Sequence, residues 1–104
     1  METKKNTMEV FQQEAPDVAK AFGGLIQAVS GMPTLEPKIK QLIYIAIKAS
    51  YGDVNAVKAH VPMAKMNGAT REEIKEAIVM TTTVCGIRGV ASCLAAALDI
   101  YDQK

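Results

Sequence analysis

Apolar residues recur every three or four positions along most of this chain, and nowhere do they settle into the alternation of a half-buried strand. The pattern predicts an all-α protein. Pro16 stands where a first helical residue belongs, and Val18, Phe22, Leu25, Ile26 and Val29 follow at helical spacing to about Ser30. Residues 7–13 allow a short helix before it, and Gly31-Met32-Pro33-Thr34 reads as the turn after it. The pair Gly23-Gly24 marks either weak helix or close packing.

From Leu35 to about Tyr51, the residues Ile39, Leu42, Ile43, Ile45, Ala46, Ile47 and Ala49 cover an apolar arc of about 200° at ~100° per residue. That is twice the stripe a small core needs, so part of this helix is expected to be buried against another subunit. The remaining arc carries Lys40, Gln41, Tyr44, Lys48 and Tyr51.

Asp53 can cap a following helix that runs to Met66 and closes at Gly68. Pro62 lies inside it and should kink or loosen it beyond His60, because proline removes the bond to the Lys58 carbonyl. Thr70-Arg71-Glu72-Glu73 is a capping box, which starts the next helix at Arg71. Its expected buried stripe is Ile74, Ala77, Ile78, Thr81 and Val84, with Cys85-Gly86 at its end, and an Ala-rich last helix covers about Ile87 to Tyr101. The whole predicts five to six helices, and a length of 104 residues predicts a single domain over 1–104.

Composition narrows the function classes. With 49% hydrophobic and 22% charged residues the chain is a folding one, not a disordered one. A net charge of +1, with no basic run longer than Lys4-Lys5, excludes the concentrated positive face that nucleic acid requires. No apolar run is long enough to span a membrane and the N-terminus lacks the apolar centre of a signal peptide, so a cytoplasmic location is expected. Two cysteines, Cys85 and Cys93, make no C-x-x-C motif, and one histidine cannot build a histidine-rich metal site; no metal and no cofactor are expected.

His60 is the one side chain that titrates near neutrality without help, and helical phase puts it among Val57, Ala64, Ala56 and Met63. A core imidazole needs partners for both nitrogens; a catalytic one needs a polar residue to orient it. Asp53 is two turns away, about 10 Å by helical rise, and suits an N-cap better than a partner. Gln41, Tyr44 and Lys48, three and four residues apart on the preceding helix, can supply orienting and anion-binding groups across a helix pair. Cys85 and Cys93 stand about 12 Å apart along a continuous helix, too far for a disulfide, and read as structural thiols.

The segments LEPKIKQLIYIAIKASYGD, AVKAHVPMAKMNGATREEIKEAI and TTTVCGIRGVASCLAAALDIYD, in this order, resemble the alkylhydroperoxidase D-like/carboxymuconolactone decarboxylase superfamily over roughly residues 8 to 102. The resemblance implies an all-helical subunit whose central antiparallel helix pair carries the site, assembled as a homotrimer or homohexamer with interfaces near the active sites. Peroxidase-type relatives carry a glutamate on the first helix of the pair and a C-x-x-C followed by the histidine. Here the histidine is His60, the cysteine positions hold Asp53 and Ala56, and the glutamate position holds Gln41. Neither aspartate nor alanine can form the sulfenic acid or disulfide of thiol peroxidase chemistry.

The expected function is therefore that of a carboxymuconolactone decarboxylase-like enzyme, with His60 moving a proton on a small, anionic metabolite and Gln41, Tyr44 and Asp53 as further site residues. Two alternatives stand beside it. One is an antioxidant peroxidase, peroxiredoxin-like in activity, working through Cys85. The other is an oligomeric binding module without catalysis.

Overall fold

A computed structural model describes residues 6–104, and among them it contains helices and no strand. The described residues up to Thr34 form one compact unit and Leu35–Lys104 form a second.

The first unit is a helical hairpin of α1 (Thr7–Glu14) and α2 (Pro16–Ser30). Asn6 caps α1, its side chain accepting from the Glu9 amide at 2.8 Å. Pro16 opens α2 as its first residue. Phe11 and Phe22 meet with ring centroids 6.1 Å apart. The stripe read as a core face is present, yet neither helix contains a buried residue, and Val18, Phe22, Leu25, Ile26 and Val29 are each about half exposed.

The second unit begins with α3 (Pro37–Ser50) and α4 (Val54–Met66), joined by three residues. The pair is antiparallel: Gln41 meets His60 near one end and Lys48 meets Asp53 near the other. Asp53 caps α4 by accepting from the Ala56 amide at 3.1 Å. Pro62 lies inside α4, which runs to Met66 as its sequence bounds predicted. The helix closes at Asn67, and Gly68 follows at φ 95°, a conformation that suits glycine.

The expected capping box opens α5 (Arg71–Met80): the Thr70 hydroxyl accepts from the Glu73 amide at 3.1 Å, and the Glu73 carboxylate accepts from the Thr70 amide at 2.9 Å. This helix stops earlier than expected. The Thr81 amide and hydroxyl both donate to the Ile78 carbonyl, at 3.1 and 2.6 Å, and tighten the last turn. A separate single turn, α6 (Thr82–Cys85), follows, and Val84 lies 84% exposed where helical periodicity had placed it in the core.

The last helix is also composite. A π-helical turn, Val90–Leu94, leads into α7 (Ala95–Asp102). Gly89, at its start, lets the chain pass close to its neighbours: a Cβ there would lie 2.5 Å from Thr81 Oγ1 and 3.0 Å from the Ala49 carbonyl oxygen.

The core of this unit follows one face of each helix: Ile45 and Ala49 from α3, Val57, Val61 and Ala64 from α4, Ile74 and Ile78 from α5, then Cys93 and Ala97. The C-terminus is clasped to the α4–α5 corner. Tyr101 donates its hydroxyl proton to the Ala69 carbonyl at 2.8 Å, Lys65 donates to the Tyr101 carbonyl at 2.7 Å, and Arg71 grips Asp102 through two bonds of 2.9 and 3.2 Å.

Candidate active site

The central helix pair brings His60, Gln41 and Tyr44 into direct contact. Gln41 and Tyr44 lie three residues apart on one face of α3, and α4 presents His60 to that face. The Nδ1 atom of His60 lies 2.9 Å from Gln41 Oε1. With a carbonyl oxygen facing it, Nδ1 carries the proton and donates, which leaves the lone pair on Nε2. The Tyr44 ring stacks on the imidazole with centroids 3.7 Å apart and planes 26° from parallel.

His60 is half-buried, less enclosed than the core position helical phase implied. Burial lowers its pKa below the ordinary 6.5, and the positive charge of Lys48 lowers it further. The imidazole is thus held neutral at pH 7, in a single tautomer, with its basic nitrogen available.

Lys48 stands one turn beyond Tyr44. Its ammonium lies 5.8 Å from the Tyr44 ring centroid and 5.9 Å from that of Tyr51, and 3.7 Å from Asp53 Oδ2. Asp53 therefore does not orient the histidine; it caps α4 and faces Lys48.

Cys85 is partly buried at the end of α6, where its thiol donates to the Thr81 carbonyl at 3.4 Å; no hydrogen bond joins it to His60. Cys93 is fully buried in the π-helical turn, and burial first, then the Asp53 charge, pushes its thiol pKa up. Both thiols are free. Among the described residues no three histidine, cysteine or acidic side chains converge as a metal site would require.

An apolar groove of about 480 Å³ lies on a different face of α3, where Ile43, Ala46, Ile47 and Ser50 face Ala77 and Met80 of α5. Neither His60 nor its partners line it. The chemistry and this groove are thus separate features of this unit.

The all-helical fold of the described residues, with its central antiparallel helix pair, agrees with an alkylhydroperoxidase D-like fold. The chain belongs to the carboxymuconolactone decarboxylase family, whose model matches residues 16–99. It is also similar to an uncharacterized protein from Methanocaldococcus jannaschii, 28% identical over 98 residues that cover 94% of this chain and 92% of that protein. Among the described residues no helix is long and apolar enough to cross a membrane.

Proposed function

We propose that this chain is a small oligomeric enzyme of the carboxymuconolactone decarboxylase type, in which His60 moves a proton on a small anionic metabolite. The observation that carries the reading is the oriented, neutral imidazole: bonded through Nδ1 to Gln41, stacked on Tyr44 and basic at Nε2. A base of this kind takes a proton from carbon or oxygen and returns it to the product, which leaves His60 unchanged over the cycle. Gln41 is the positioning residue. Its amide fixes the ring but cannot accept the proton as the glutamate of peroxidase-type relatives could, so the imidazole itself has to be the proton's resting place. The Lys48 ammonium and the Tyr44 hydroxyl are the groups suited to an acid function of the substrate.

Self-assembly into a trimer or hexamer belongs to the same proposal. It is supported by the apolar arc of α3, whose outer members Ile43 and Ile47 stay 44% and 49% exposed in a single chain, and by exposed Met80, Val84 and Ile87.

The test is turnover of a panel of small lactone and keto acids by the full chain and by His60→Asn. We expect a loss of at least ~100-fold, the usual contribution of a general acid/base. Unchanged turnover of every substrate that the native protein converts overturns the reading.

A further inference from the structure

Asp53 divides its two carboxylate oxygens between different tasks. Oδ1 accepts from the Ala56 amide at 3.1 Å and caps α4, while Oδ2 faces the Lys48 ammonium at 3.7 Å. The second distance exceeds a hydrogen bond, so the pair is held by charge alone. The cap explains why it goes no closer: a carboxylate tied to the helix start is not free to advance on the ammonium.

Lys48 is nevertheless held in place. Its ammonium lies over the rings of Tyr44 and Tyr51, which attract a cation without consuming its N–H donors. Among the described residues no hydrogen-bond acceptor meets those donors. Both side chains of the ion pair remain open, Lys48 at 31% and Asp53 at 42% exposure, so solutes can reach the pair and its mutual attraction is weak. Lys48 is also the charge that acts on His60, which places it within electrostatic reach of the imidazole.

We propose that Asp53 is a displaceable internal counter-ion, and that Lys48 is the anion subsite of the His60 site. In the free protein Asp53 partly neutralises the ammonium; an arriving monoanion accepts hydrogen bonds from it directly, at the shorter distance Asp53 cannot reach. The exchange moves no covalent bond and needs no unfolding, because the cap on Ala56 stays made throughout. A carboxylate of single charge fits best, since one ammonium is present and the Asp53 charge remains nearby to repel a second. This inference rests on the proposed function only in treating the His60 site as a binding site.

The subsite can be tested with benzoate as the probe, its binding to the full chain followed by isothermal titration calorimetry. Asp53→Asn removes the counter-charge and keeps the cap, asparagine being as good an N-cap as aspartate. We expect benzoate to bind Asp53→Asn roughly 2- to 5-fold more tightly than the native protein, the fold-change equivalent of losing an exposed competing ion pair. Lys48→Met loses saturable binding, and Lys48→Arg retains it. Equal or weaker binding by Asp53→Asn, with helix content unchanged, overturns the proposal, as does saturable binding by Lys48→Met. His60→Asn separates the two ideas: benzoate binding that survives without turnover supports both, whereas turnover that survives overturns the enzymatic reading alone.

Discussion

His60 Nδ1 lies 2.9 Å from Gln41 Oε1, nineteen residues earlier on the facing helix. A neutral amide holds the ring without adding charge, so it orients the imidazole without raising its basicity. Gln41→Glu puts a carboxylate at the same distance and should raise the His60 pKa by about 1 to 3 pH units. Gln41→Leu should leave the pKa low and slow turnover, because the ring loses its fixed tautomer. Proton NMR titration of the single histidine measures both; a pKa unmoved in Gln41→Glu contradicts the contact.

The depressed His60 pKa links folding to pH. The unfolded histidine titrates near 6.5, while the folded one resists protonation until lower pH because of burial and then Lys48. Between these two values the unfolded state binds more protons. Stability from this group is therefore complete above about pH 6.5 and declines as pH falls toward the folded pKa. Urea midpoints across this range should fall less in His60→Gln than in the native protein. Parallel curves for the two proteins would contradict the link.

Two glycines should respond in opposite directions to alanine. A methyl group at Gly89 meets Thr81 Oγ1 and the Ala49 carbonyl, so Gly89→Ala should cost about 1 to 3 kcal/mol through overpacking. At Gly23 nothing lies within 4 Å of an added Cβ, and Gly23→Ala should gain about 0.5 to 1 kcal/mol from helix propensity alone. Urea unfolding of both variants checks the pair, and a stabilised Gly89→Ala would show that the close crossing is absent.

The two thiols should differ sharply in reactivity. Cys93 is fully buried and its thiolate is disfavoured, so it should react with a disulfide reagent only through opening of the fold. Cys85 is only partly buried and should react first. Cys85→Ser should leave a single, slowly reacting thiol. If Cys93 is modified as fast as Cys85, the packing of the π-helical turn is not as described.

The helices were legible where local chemistry sets them. The Thr70–Glu73 box, Pro16 and the Asp53 cap name their positions without tertiary help. The α3 face bearing Gln41, Tyr44 and Lys48 was legible from spacing, and the antiparallel pair came with the family resemblance. The partners of these residues were not. That Gln41 bonds Nδ1, that Tyr44 stacks, and that Asp53 faces Lys48 all depend on the register of two helices, which a single sequence does not print. Val84 was misplaced for a different reason: it keeps the face of Ala77 and Thr81 and lines the same groove, but that end of the stripe stays 84% exposed in a single chain. The extent of α4 to Met66 was legible despite Pro62, which sits between the buried Val61 and Ala64.

The wide turn at Val90–Leu94 makes the C-terminal helix unusually tolerant of one particular length change. Such a turn holds one residue more than an ordinary helical turn, and deleting one residue would relax it into regular winding. The helix on either side would keep its facing, whereas a deletion in the regular turns that follow would swing one side by about 100° about the axis relative to the other. Ala97 could then stay pointed inward, and the grip of Tyr101 on Ala69 could persist. A single missing codon in this stretch should therefore do less harm than one in the regular turns after it.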